Sequence, residues 1–499
     1  MPGEVIQSPS EPADAHTAGA VGLRAKVARG LGWKLLGQGF AQATSVAVGV
    51  LLAHLLTPRE FGLAGMALVF TGFAGVFTDL ALGPALVQRT QIREEDRSTA
   101  FWTSLGAGVL LTALAAALAP FVADFFSMPA VRPLFYASAT IFLLSSLSVT
   151  QSALLTREMN FRSLEIRGMV SALAGAAVAV PLAFAGAGAW TIVGQTLFAS
   201  IVSVVLLWRL SPWRPRFIYS LESLRMLGSF GMKTLLSQVL GYLSLNMDNV
   251  LVGRYLGSRA LGLYAVAYNV MFLPVGRISQ PIQQVVFAAF AKLQHDPVRL
   301  SDAWRRGNQL ISAVNVPAFV GMAVIAPDFV PVVLGHKWHA AVPVLQLLSL
   351  AGVAQSFQTL NWSTVQALGR AGVMLRVRLF SAPLTLAAFA FGLRWGVVGV
   401  AGLYAAARFI ILAVSTVVTC RTLTFPILRV VRESTLVAAL SLAMALAVYS
   451  ARIGLVHGGV AAGVRLPALV AVGAAVYVAL IAWRTPDLLV EIRSLVRSR

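Results

Sequence analysis

Residues 51–70 read LLAHLLTPREFGLAGMALVF, and residues 251–270 read LVGRYLGSRALGLYAVAYNV. Aligned without gaps at an offset of 200, they share Leu51/Leu251, Leu56/Leu256, Arg59/Arg259, Gly62/Gly262, Leu63/Leu263 and Ala67/Ala267. Upstream, Leu35/Leu235, Leu36/Leu236 and Gln38/Gln238 fall in the same register. A Leu- and Ala-rich chain produces some such matches by composition. Arg, Gly and Gln matching in one register point instead to an internal repeat. In a membrane protein a repeat of this kind marks two related bundles.

The composition supplies the membrane. Of 499 residues, 58% are hydrophobic and 12% charged, against about 25% charged in a soluble protein. A surface that faces hydrocarbon can be this apolar; one that faces water on all sides cannot. A spanning helix takes about 20 apolar residues. Fourteen such runs are legible, at 31–56, 61–83, 99–123, 133–156, 168–187, 190–208, 226–251, 261–287, 308–333, 342–368, 373–393, 395–419, 434–454 and 464–483. With the N-terminus inside, the outward segments hold only Arg59, Arg132, Arg254, Arg259, Lys337, Arg394, Arg452 and Arg465. Most of the other Lys and Arg fall on the cytoplasmic side, as the positive-inside rule requires.

The fold expected is therefore all-α and polytopic, with both termini cytoplasmic. Residues 1–30 form a disordered tail, polar and without the apolar core of a signal peptide. A six-helix lobe at 31–210 is joined by a cytoplasmic linker, 211–223, to a second at 224–419. Two further helices occupy 420–484, and 485–499 is a basic cytoplasmic tail. Six spans separate the two copies of the repeat, an even number, so the lobes are related by an axis along the membrane normal. The net charge of +20 is read as meeting anionic membrane lipids rather than nucleic acid.

A charge at bilayer depth costs about 2.5–3.5 kcal/mol on insertion scales, so embedded ionisable residues are the site candidates. The bases are Lys34, Lys233, Arg277 and Arg408; the acids are Asp79, Asp248 and Asp328. Lys233 and Arg277 are expected at similar depth on neighbouring helices. Either they form a cationic patch for a phosphorylated ligand, or each is neutralised by a carbonyl or an acid. Arg408, near the middle of its span, cannot easily snorkel and is a cavity-lining candidate. Lys34 and Asp79 lie near cytoplasmic helix ends, where snorkelling or a mutual ion pair competes with function. Asp248 is read as a coupling or gating residue or a cap, and Asp328 as structural. Gln38, Gln42, Gln238, Asn246 and Gln284 are candidates for lining a glycan path, with interhelical hydrogen bonding as the alternative. Trp102 and Trp208 fall at helix ends, as an interfacial belt would place them.

No cofactor or metal is called for. There is no P-loop, His336 and His339 are too isolated for a metal site, and Cys420, the single cysteine, sits in an apolar run as inert packing.

The stretches at 51–70 and 246–270, with DLALGPALVQR at 79–89, resemble the lipopolysaccharide and exopolysaccharide flippases of the multidrug/oligosaccharidyl-lipid/polysaccharide exporter superfamily. The resemblance spans nearly the whole chain, although the family usually has Arg or Lys where this chain has His54. It implies a non-enzymatic exporter in the bacterial inner membrane that moves undecaprenyl-diphosphate-linked oligosaccharide by alternating access. Polysaccharide polymerase and glycosyltransferases of the same pathway are the implied neighbours. Two rivals follow. A cation-coupled multidrug antiporter would need a cavity of embedded carboxylates to bind cations, where this chain embeds more bases than acids, and a membrane glycosyltransferase would need a large outer loop with paired carboxylates or arginines. The sequence offers neither.

Overall fold

The computed structural model describes residues 13–79, 82–89, 91–274 and 296–484, with the single positions 276, 283, 286, 290 and 293. Among these residues the regular structure is all helix, with no strand. In hydrocarbon every backbone N–H and C=O must be satisfied within its own segment or a closed sheet, and the helix does this one residue at a time. The helices are α1 (Ala13–Leu55), α2 (Pro58–Asp79), α3 (Leu82–Gln88), α4 (Glu94–Phe125), α5 (Val131–Arg157), α6 (Phe161–Phe184) and α7 (Trp190–Leu210). There follow α8 (Leu221–Pro274), α9 (Pro297–Phe329), α10 (Val342–Ala367), α11 (Ala371–Gly392), α12 (Gly396–Leu423), α13 (Ile427–His457) and α14 (Ala462–Arg484). Ten stretches of the described residues are long and apolar enough to cross a membrane. The protein is a multi-pass membrane protein.

Two boundaries differ from the sequence reading. Helix begins at Ala13, well before the span expected at 31. The runs expected at 226–251 and 261–287 share one long element, α8, broken at Gly257, whose φ of 81° and ψ of 179° are non-helical. Only glycine occupies that region without steric cost. The chain therefore turns there and restarts at Ser258.

The molecule divides into two compact units. The first takes α1 up to Gly49, Phe70–Phe121 and Arg132–Tyr242; the second takes Val50–Val69, Val122–Val131 and the chain from Leu243 onward.

In the first unit, residues 211–220 are pinned along the start of α4. Trp102 Nε1 donates to the Arg216 carbonyl at 2.8 Å, and Trp213 Nε1 to Glu94 Oε1 at 2.8 Å. Ser98 and Thr99 hydroxyls accept from Arg216 N and Ser220 N at 3.2 and 3.0 Å. The Trp102 ring stacks on Phe217 with centroids 5.0 Å apart. Trp102 thus anchors the connecting segment. The buried Asp96 holds the α3–α4 turn by accepting from Arg89 at 3.3 Å and from Arg93 N at 3.0 Å.

In the second unit, the TPREFG sequence at 57–62 explains itself. Thr57 and Glu60 form a capping box: Glu60 Oε2 accepts from Thr57 N at 2.6 Å, and Thr57 Oγ1 accepts from Glu60 N at 3.4 Å. Pro58 takes the first helical position, where its missing N–H costs nothing. One turn on, Gly62 lies so close to Ser258 that a Cβ would overlap the Ser258 carbonyl. Reciprocally, a Cβ on Gly262 would overlap the Pro58 carbonyl. Each partner is the other's counterpart at the offset of 200. Trp338, fully buried, donates to the Ala53 carbonyl at 2.8 Å and meets the Phe61 ring edge-on at 5.1 Å. Arg254 lies over the Phe125 ring and donates to Ser127 Oγ at 3.2 Å.

The last hairpin is fastened to α9 by one carboxylate. Asp328, fully buried, accepts from Arg452 of α13 and Arg465 of α14, while Tyr477 donates to the Ala313 carbonyl at 2.8 Å. Removing the acid strands two guanidiniums, and breaking a buried pair costs about 3–5 kcal/mol. Asp328→Ala is expected to loosen α13–α14, read as faster proteolysis at residues 458–461, with Asp328→Glu intermediate. Wild-type protection in Asp328→Ala would show that apolar contact and the Tyr477 hydrogen bond hold the hairpin without the carboxylate.

Candidate functional site

The second unit holds a buried polar chain built from three helices. Arg408, in the middle of α12, donates through Nε and Nη2 to the Tyr404 hydroxyl one turn before it, at 2.9 and 2.7 Å. Its Nη1 donates to Gln358 Oε1 of α10 at 3.3 Å, and Gln358 Nε2 donates back to the Arg408 carbonyl at 3.1 Å. The guanidinium carbon lies 5.0 Å from the Tyr404 ring centre, in cation–π range. Tyr404 stacks on Phe389 and meets Tyr268 of α8 at 6.5 Å. Tyr268 stacks on Tyr264, and the Tyr264 hydroxyl donates to Asp248 Oδ2 at 3.0 Å. Asp248 also accepts from Asn249 N at 2.8 Å.

Neutral partners hold the guanidinium. Among the described residues no carboxylate lies within ion-pair distance of Arg408; Asp248 acts on it only through the field and keeps its own bonds to Tyr264 and Asn249. An arginine has five N–H donors, and three of these hydrogen bonds account for part of the set. The side chain is half-buried rather than sealed. A cation positioned by tyrosine and glutamine, with donors to spare and no contacting anion of its own, suits a phosphate better than a structural ion pair.

Two candidates that the sequence treats separately, Asp248 and Arg408, thus belong to one cluster. Asn246 is half-buried, two residues from Asp248. Lys34, Gln38 and Gln42 belong to the first unit, Lys34 and Gln38 exposed and Gln42 half-buried. Lys34 lies within electrostatic reach of Glu165. Arg277 and Gln284 fall outside the described residues, as do the side chains of Lys233, Gln238 and Asp79.

Several participants are absent from the sequence-based candidates. Tyr264, Tyr268, Tyr404 and Gln358 are the cluster's connectors. Tyr264 and Tyr268 stand four residues apart in the repeat, a spacing that places both on one helix face and that reads equally as core. Glu165 and Arg167 fall in what hydropathy assigns to a loop before 168. Helix α6 starts at Phe161 because Asn160 caps it, its side chain accepting from Ser163 N at 3.3 Å.

A family described as "Polysaccharide biosynthesis protein" matches residues 51–343, more than half of the chain. The chain belongs to this polysaccharide biosynthesis family. Among its relatives is the lipopolysaccharide biosynthesis protein WzxC of Escherichia coli, 27% identical over 74% of this chain and 76% of that protein. The teichuronic acid biosynthesis protein TuaB of Bacillus subtilis is 28% identical over 64% of this chain and 67% of its own. Of solved structures, the lipid II flippase MurJ in an inward closed conformation superposes with a TM-score of 0.74 at 15% identity, covering 91% of this chain and 100% of MurJ. A multidrug resistance MATE transporter, inward-facing, gives 0.62 at 15% identity over 77% of this chain and 94% of its own. At these identities the two structures fix the fold of this polysaccharide biosynthesis family member.

Proposed function

We propose that this chain is a flippase for undecaprenyl-diphosphate-linked oligosaccharide, moving a lipopolysaccharide or exopolysaccharide precursor from the cytoplasmic to the periplasmic leaflet of the bacterial inner membrane. The observation that carries the reading is Arg408: a guanidinium at the middle of a membrane helix, oriented by neutral partners, in a member of a polysaccharide biosynthesis family. A charge so placed is costly unless something compensates it, and a diphosphate headgroup would. Lys233 and Arg277 are proposed to share that headgroup. The curated relatives' names, and the flippase among the fold's solved neighbours, support the substrate class.

In this reading fourteen spans form two six-helix lobes, 31–210 and 224–419, with both termini cytoplasmic, and the lobes close alternately on either side of the substrate. The reciprocal Gly62 and Gly262 contacts support a two-fold relation between the segments after the first helix of each lobe. The chain carries out no covalent chemistry and hands its cargo to the polymerase, from the glycosyltransferases that built it.

The test is reconstitution. Proteoliposomes containing the purified chain should expose a labelled undecaprenyl-diphosphate oligosaccharide to an external glycosidase at least about tenfold faster than empty vesicles. Translocation of cationic drugs without that exposure would replace this reading with the multidrug antiporter.

A further inference from the structure

The first unit contains a cavity of about 650 Å³ between α1, α5, α6 and α7. Its wall carries Thr44, Ser145, Ser148, Ser152, Thr196 and Ser200, and among the described residues no charged side chain lines it. The size falls in the range of ordinary ligand pockets, and the residues lie inside their helices, at least one turn from either end. Hydroxyls at that depth commonly act as glue between helices. Here three of them donate to their own helices instead. Ser148 donates to the Leu144 carbonyl at 3.2 Å, Thr196 to Ile192 at 2.9 Å and Ser200 to Thr196 at 2.8 Å. With its proton given away, each oxygen keeps lone pairs that can accept from a ligand hydroxyl. Gln195, also in the wall, supplies donors and an acceptor together. At the edge, Arg167 Nη1 donates to Ser152 Oγ at 3.3 Å, while its Nε is buried without a hydrogen-bond partner among the described residues.

From this we infer a glycan subsite: the cavity receives neutral sugar residues, hydroxyl against hydroxyl. Among the described residues the wall is neutral and Arg167 alone stands at its edge, too few cationic partners for an anionic headgroup. The density of acceptors argues against an acyl chain, which can bond none of them. The inference deepens the flippase reading and rests on it for the source of the sugar; the subsite itself stands on the first unit alone.

Binding and transport separate the two. Purified full-length protein in detergent is titrated with a panel of neutral, lipid-free tetrasaccharides. Binding to wild type is expected, with at least tenfold weakening in Ser148→Leu/Ser200→Leu, which fills the cavity. A smaller loss is expected in Ser148→Ala/Ser200→Ala, which removes hydroxyls and leaves the space. Arg408→Gln should bind the free sugar as wild type does. No binding to wild type, or equal binding by wild type and the leucine pair, overturns the subsite. In vesicles, the leucine pair should slow flipping of an undecaprenyl-diphosphate tetrasaccharide at least tenfold and leave the single-sugar lipid within about twofold. Equal loss on both lipids, with the alanine pair normal, would assign these serines to packing. Wild-type protein that binds free sugar but flips neither lipid would refute the flippase reading and leave the subsite standing.

Discussion

Arg408→Gln is expected to lower lipid-linked oligosaccharide flux by about 10- to 150-fold, the equivalent of one charge-assisted hydrogen-bonding interaction of about 1.5–3 kcal/mol. Membrane abundance should stay normal, because the partners left behind, the Tyr404 hydroxyl and the Gln358 amide, are neutral and can bond to the new glutamine or to water. Arg408→Lys should recover little. An ammonium is a point charge without the planar fork that reaches Tyr404 and Gln358 together. Flux in proteoliposomes, normalised to reconstituted protein, is the measurement. Full activity in Arg408→Gln would remove this residue from the headgroup site.

Gly62→Ala is expected to be at least as damaging, for a reason that has nothing to do with charge. The added methyl would overlap a backbone carbonyl, that of Ser258, and a carbonyl fixed in a helix cannot swing aside as a side chain can. Overpacking of this kind costs about 1–3 kcal/mol, sometimes more. If the contact belongs to one of two alternating states, about 3 kcal/mol shifts their ratio roughly a hundredfold. Flux should fall, and a thiol introduced as Arg59→Cys in a Cys420→Ala background should label faster from the side proposed as periplasmic. Gly262→Ala should behave the same way, since its methyl would overlap Pro58. Unchanged labelling and flux in both variants would show that these segments part without consequence.

How much of this was legible beforehand depends on range. Composition and periodicity announced membrane helices, because those signals sit within one segment. The TPREFG turn is readable residue by residue as a cap followed by a glycine. Its counterpart at 257–262 is not, because Gly257 and Ser258 make the break without a capping box. Arg408 stood out because a guanidinium in mid-helix needs a reason. Its connectors did not, because tyrosines four apart in an apolar helix look like core until Asp248 and Arg408 are found at either end of the row. Gln358 lies 50 residues from Arg408, and nothing local in either helix predicts the pairing. Glu165 and Arg167 escaped because hydropathy marks where a helix becomes apolar, whereas Asn160 marks where it begins. The serines of the first unit's cavity carry no signal in the sequence, because only packing distinguishes a wall from a seam.

The carboxylate of Asp328 has a history as well as a position. Its partners lie 124 and 137 residues later in the chain. At a synthesis rate of about 5–20 residues per second, the second arginine emerges roughly 7–27 s after the acid. Throughout that interval α9 carries an ionisable group whose counter-charges do not yet exist. The nascent protein must therefore keep this end of α9 wet until the closing hairpin delivers both arginines, which ties the burial of α9 to the arrival of α13 and α14.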